Sequence, residues 1–121
     1  MQDLLRQGAE WLEEQRTAHM AALVTYARGA ATVTIAATVG RTEFQGADAG
    51  GMLTEFVSRD FLVAAADLRL SGSAALPAVG DRITEGDGAV HEVMAPGGNE
   101  QPWRWSDPYG LAYRIHTKRV Q

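Results

Sequence analysis

Ala22-Leu23-Val24-Thr25-Tyr26-Ala27-Arg28-Gly29-Ala30-Ala31-Thr32-Val33-Thr34-Ile35-Ala36-Ala37-Thr38-Val39 is the stretch that decides the fold. Val24 and Tyr26 alternate with Thr25, and Val33, Ile35, Ala37 and Val39 alternate with Thr32, Thr34, Ala36 and Thr38. Side chains repeat every second residue along a strand, so this pattern gathers apolar groups on one face. Val, Ile and Thr also suit a half-buried pleated surface. Arg28-Gly29-Ala30 between the two runs reads as a hairpin turn.

Strand signals continue downstream. Met52 to Val57 and Asp60 to Ala65 read as two further strands, the second apolar at successive positions and so expected to be buried on both faces. Phe44 to Gly51 is small and glycine-rich and reads as a flexible loop between strands. Ala66-Asp67-Leu68 reads as a brief turn, and Ser71 to Val79 as a loop. Arg82-Ile83-Thr84 and Ala89 to Met94 pair as a hairpin through Gly86-Asp87. Trp103-Arg104-Trp105 and Ala112 to Thr117 follow, separated by the turn Asp107-Pro108-Tyr109-Gly110. In Pro77-Ala78-Val79-Gly80-Asp81-Arg82-Ile83, Pro77 restricts φ, Gly80 accepts positive φ and Asp81 hydrogen-bonds locally before a strand begins.

Ahead of these strands, residues 3–20 carry helical spacing. Leu4, Gly8, Trp11, Leu12, Gln15 and His19 recur every three or four positions, and Asp3 complements a helix N-terminus. The narrow stripe of Leu4, Trp11 and Leu12 either packs on its own domain or docks partly on a neighbour. The fold expected is mainly β: a small antiparallel barrel or sandwich of about seven to eight strands preceded by one N-terminal α-helix. The 121 residues form a single domain, 1–121, with the helix in 1–21 and the β-unit in 22–121.

Composition narrows the function. Hydrophobic residues at 45% and charged residues at 21% are ordinary for a globular protein. No apolar run approaches a membrane span, and Met1-Gln2-Asp3-Leu4-Leu5-Arg6 lacks the form of a signal peptide, so synthesis in a cytoplasm is expected. Zero cysteines leave no disulfide framework and no thiolate zinc site. A formal charge of −4 disfavours a sequence-independent nucleic-acid binder, which depends on Lys and Arg displacing counterions.

Chemistry is sparse. His19, His91 and His116 lack the i, i+4 spacing of a zinc helix and read as surface or half-buried hydrogen-bonding groups. His91-Glu92 has no second histidine after it, and no serine sits in a Gly-x-Ser-x-Gly elbow. Ser58 and Asp60 flank Arg59 in a strand whose neighbours face alternate sides, so no triad is expected. The glycines form neither a P-loop nor a dinucleotide fingerprint. Trp103 and Trp105 share one strand face with Arg104 on the other, which separates stacking from charge and disfavours a single-strand nucleic-acid platform. No catalytic, cofactor-binding or metal residue is expected.

An ordered set of phrases carries a resemblance. Arg59-Asp60-Phe61-Leu62-Val63, the Leu68 turn, Pro77-x-x-Gly80-Asp81-x-Ile83, Glu92-Val93 and Arg114-Ile115-His116-Thr117 follow the helix in order. Together they resemble the lambda-type bacteriophage head–tail joining family, also called head–tail attachment, stopper or head-completion proteins. The resemblance implies a virion structural protein of the phage neck, made in the host cytoplasm and needing no cofactor. It implies a ring, typically of six copies, below the portal and adaptor and above the tail terminator and tail tube. Such a ring retains packaged DNA, lets it pass without sequence-specific binding, and docks the tail, with no membrane involved. A tail terminator of the same neck, or a small β-barrel binding module for nucleic acid or protein, are the alternatives. The residues placed at partner contacts are Trp11 and Leu12 on the helix, Phe44 and Asp48 in the loop, and Arg114, His116, Lys118 and Arg119 at the basic C-terminal end. Asp48 repeated around a ring would form an acidic collar that repels phosphates.

Overall fold

The computed structural model describes residues 4–19, 21–47, 53–97 and 100–121. Among these residues one α-helix, α1 (Leu4–His19), precedes nine strands. These are β1 (Ala22–Arg28), β2 (Ala31–Ala47), β3 (Leu53–Ala64), β4 (Arg69–Leu70), β5 (Ser73–Ala74), β6 (Arg82–Thr84), β7 (Val90–Val93), β8 (Trp103–Trp105) and β9 (Ala112–Arg119). Asp3 and Asp48 lie outside the described residues.

The sheet runs β3-β2-β1-β6-β7-β9-β8, and β3 also pairs with β9, so six strands close into a barrel. β9 has β3 along one edge; the other edge carries β8 beside residues 113–115 and β7 beside 117–119. Every pairing is antiparallel. β8 is therefore an added strand outside the closure. The small β4–β5 hairpin corrects the expectation of a loop from Ser71: Arg69 pairs with Ala74 and Leu70 with Ser73.

Alternation fills the interior as the opening stretch requires. Val24 and Tyr26 from β1, Ile35 and Ala37 from β2, and Phe61 and Val63 from β3 meet Ile83, Val93, Tyr113 and Ile115 across the barrel. Leu68 and Leu70, after a 3₁₀ turn at Ala65–Asp67, join the same cluster. Burying a side chain of this size contributes about 1.5–3 kcal/mol each, which makes this cluster the main stabilising feature of the barrel.

Two strands exceed their expected lengths. The proposed break between Val57 and Asp60 does not occur: β3 is continuous through Ser58 and Arg59. The expected loop from Phe44 is likewise strand as far as Ala47, with Phe44 paired to Phe56 and Ala47 to Leu53. Local glycine content pointed to a loop, but pairing with a long partner and stacking of Phe44 on Phe56, centroids 6.0 Å apart, outweigh it. β1 covers β2 only at residues 31–37, and β9 covers β3 only at 59–64. Residues 41–47 and 53–58 thus pair with each other alone, as a two-stranded arm leaving the barrel.

The helix turns its apolar stripe outward. Leu4, Trp11 and Leu12 are 79%, 58% and 63% exposed. Ala9, Leu12 and Glu13 border a groove of about 300 Å³ shared with Pro108, Leu111 and Ala112, and the helix also approaches β2. Arg6 lies over the Tyr109 ring, 5.8 Å from its centroid. Among the described residues, no helix is long and apolar enough to cross a membrane.

Candidate functional site

The polar residues that matter are buried, and they fix two joints of the fold. The first is the arm root. Register sets Gly40 opposite Asp60 and Thr42 opposite Ser58 on β2–β3, and Asp60 opposite His116 on β3–β9. Residues two apart share a face, so Ser58, Asp60, Thr42, Arg114 and His116 converge on the outer side of the sheet.

Asp60 is fully buried at their centre. Its Oδ1 accepts from Ser58 Oγ at 2.5 Å and lies 3.0 Å from His116 Nδ1; its Oδ2 accepts from Arg114 Nη1 at 2.8 Å and from Thr42 Oγ1. An ionised carboxylate only accepts, so His116 Nδ1 is the donor. Burial works against ionisation of Asp60, but hydrogen bonds from His116, Ser58, Thr42 and Arg114 overcome it and hold the carboxyl well below the usual carboxylate range. The Phe44 ring meets the His116 ring edge-on, with centroids 5.1 Å apart. Gly40 is what admits the guanidinium: a Cβ there would stand 3.3 Å from Arg114 Nη1.

This cluster corrects two expectations. Ser58 and Asp60 do meet a histidine, and His116 is buried rather than superficial. The cluster is nevertheless not a nucleophilic relay. The Ser58 hydroxyl donates to the carboxylate instead of to the imidazole, and it is fully buried. The i, i+2 spacings Ser58-x-Asp60 and Arg114-x-His116 were the signal in the sequence, visible only once β3 and β9 are known to pair.

The second joint is the Pro77–Ile83 turn. Asp81 N donates to Ala78 O at 3.1 Å, and Gly80 takes φ 95° at the third position of this four-residue turn. The Asp81 side chain turns inward. It accepts Arg28 Nε at 3.0 Å on Oδ1, Arg28 Nη2 at 2.8 Å and Ala78 N at 3.0 Å on Oδ2, and the Tyr26 hydroxyl. Burial, then the hydrogen bond to Asp81, push the Tyr26 hydroxyl above its ordinary value, so it remains a donor. Asp81 thereby joins the turn to the barrel core and to the end of β1.

His91 is also buried, against Phe61 with ring centroids 5.3 Å apart, and not superficial as expected. Neither ring nitrogen has a hydrogen-bond partner among the described residues, and Glu85 Oε1 lies 3.7 Å from Nε2. Glu85 instead accepts Arg59 Nε at 2.9 Å and Nη2 at 2.5 Å. Burial pushes the His91 pKa down despite Glu85. The unfolded chain takes up this proton near about pH 6.5 and the folded protein only lower, so the contribution to stability is complete above that pH and declines below it. Thermal unfolding of the wild type is expected to fall between pH 7 and pH 5, and His91→Leu to remove part of that fall. Equal slopes for both proteins would refute the assignment.

The residues expected at partner contacts are scattered. Trp11 and Leu12 are exposed on α1, and Lys118 and Arg119 are exposed at the end of β9. Arg114 and His116 are committed to Asp60, and Phe44 lies in the arm. Trp103 and Trp105 share a face and touch edge-on at 5.0 Å, while Arg104 faces Arg114 from the other side. No group of three His, Cys, Asp or Glu side chains that could hold a metal occurs among the described residues.

The sequence model of a family described as phage head-tail joining protein matches residues 2–121. No curated protein matches the sequence.

Proposed function

The chain belongs to the phage head-tail joining protein family, and from that premise we propose that it is a stopper-type connector in the neck of a tailed phage. Membership makes it a structural protein of the virion that works with other head and tail proteins. In our reading it is made in the host cytoplasm and joins a ring, of six copies, between the portal and adaptor on one side and the tail terminator and tail tube on the other. The ring retains packaged DNA and docks the tail, and DNA passes through it without sequence-specific binding.

The observation that carries this reading is a match over residues 2–121, which spans helix, barrel and arm alike. The geometry is in keeping with it. The buried polar groups anchor the arm and a turn, and the Ser58–Asp60–His116 arrangement is built for position instead of nucleophilic attack. In our reading the role is mechanical. The separation of Arg104 from the Trp103–Trp105 face argues against a single-strand nucleic-acid platform.

Deleting the protein from its phage tests the reading. Heads that fill and then leak, beside free tails of normal length, are the expected result. Overlong tails would make it a terminator instead. Full infectivity without the protein would end both assignments.

A further inference from the structure

We propose that the outward face of α1 seats on the root of the arm of a second copy of this chain. The inference rests on the ring reading above and names its contact. The donor surface is the ridge of Leu4 and Trp11, whose large apolar side chains are mostly exposed, with Leu12 at its edge bordering the groove against its own barrel. At about 3.6 residues per turn, exposed Glu14 flanks this ridge on the Trp11 side, with Glu10 beyond it paired to Arg6 at 3.0 Å. A soluble chain gains by covering such a ridge.

The acceptor is a hollow of about 450 Å³ lined by Val39, Gly40, Arg41, Val57, Ser58 and Arg59. Val39 and Val57 are 46% and 51% exposed there. Among the described residues its charged lining is two arginines, and the register places Arg41 directly opposite Arg59. Like charges directly across a strand pair are unfavourable, and Arg41 is the cation of the hollow that an acidic partner can engage. Arg41 holds Glu43 at 2.6 Å and Arg59 holds Glu85 at 2.5 Å, but the Arg41–Glu43 pair is open to water on both sides and contributes little. An apolar ridge edged by Glu14 meets both demands, apolar and acidic, and this chain carries one.

Ridge and hollow are different surfaces, so the contact is heterologous. Repeated from copy to copy, such a contact closes a ring when the rotation between subunits allows it. A contact of this kind also explains why the apolar stripe faces outward. The hollow adjoins the Asp60 cluster through Ser58 and Gly40, so a neighbour's helix would bear on the part of the arm that the cluster holds most firmly.

The natural chain has no cysteine, which makes covalent trapping clean. Virions carrying Trp11→Cys together with Val57→Cys are oxidised and run on a non-reducing gel. A ladder of dimers and higher multimers is expected, absent with either single cysteine. Monomers alone would overturn the contact, as would a loop closed within one chain, which would mean that the helix folds onto its own arm. A second measurement does not depend on those particles assembling. Arg41→Glu is expected to lower phage titre about tenfold and Glu14→Arg in the same chain to restore most of it. No restoration, or no effect of Arg41→Glu, would also overturn the contact. A protein still found at the neck in those cases leaves the ring reading standing, whereas its absence from purified virions removes that reading too.

Discussion

Asp60→Ala is expected to destabilise the protein by about 3–5 kcal/mol, because it strips a buried charge cluster of its central carboxylate. Ser58, Thr42, Arg114 and His116 all turn toward the carboxylate, and Ser58 and His116 are buried. Arg114 is 24% exposed and can turn partly to water, which favours the lower end of that range. For a chain of this size the loss corresponds to about 10–20 °C in Tm. Asp60→Asn keeps an acceptor oxygen but not the charge, and is expected to cost less. Urea unfolding measures both, and a loss below about 1 kcal/mol for Asp60→Ala would refute the central role of the cluster.

The same substitution should act on the arm more than on the barrel. Thr42 and Ser58 belong to the arm, while Arg114 and His116 belong to β9. Amide exchange in residues 41–47 and 53–58 is therefore expected to accelerate more than exchange in β1 or β6. pH supplies an independent check. The folded carboxyl titrates below the unfolded one, which titrates near about pH 3.9. Stability from this group is thus complete above about pH 4 and is lost as pH falls further. The Asp60→Ala protein should lack that part of the acid decline.

Asp81→Ala is expected to cost about 3–4 kcal/mol for a related reason at the other joint. It leaves the Tyr26 hydroxyl, which is fully buried, without its acceptor, and frees the Arg28 fork and the Ala78 N–H. Tyr26→Phe alone should cost about 1 kcal/mol, since it removes one hydrogen bond and keeps the Arg28–Asp81 pair. The double variant should then cost less than the sum, because no orphaned hydroxyl is left in the core. Additive losses in urea unfolding would show that Tyr26 and Asp81 do not act together.

Much of the barrel was legible along the chain. Thr32 to Val39 alternates so cleanly that no other period fits, and Ile35 and Ala37 are indeed buried. The Arg28–Ala30 turn, the β6–β7 hairpin and the Asp107 turn lie where local chemistry placed them; Asp107 accepts the amides of Tyr109, Leu111 and Ala112. Pro77 to Ile83 was legible as a turn, but the depth of Asp81 was not. Nothing adjacent in the chain announces Tyr26 and Arg28, which reach it from more than fifty positions away.

Local sequence misleads where a residue's setting comes from a distant strand. Phe44 to Ala47 looked like a loop because glycine and alanine dominate locally, yet β3 supplies a partner for every residue. The spacing of the histidines suggests surface or half-buried hydrogen-bonding groups, yet His116 is drawn fully in by Asp60 and His91 is covered by Phe61. The helix forms where its spacing places it, but periodicity says only that a stripe is apolar, not which way it points.

The sequence by itself determined the β period, the leading helix, the turns and the family, all of which are written in local spacing and ordered phrases. Only the tertiary structure decided the closure of the barrel, the length of the arm, the burial of Asp60 and Asp81, and the outward face of α1. Those depend on register: a strand's alternation lays out its two faces, but pairing with another strand decides which groups meet across them.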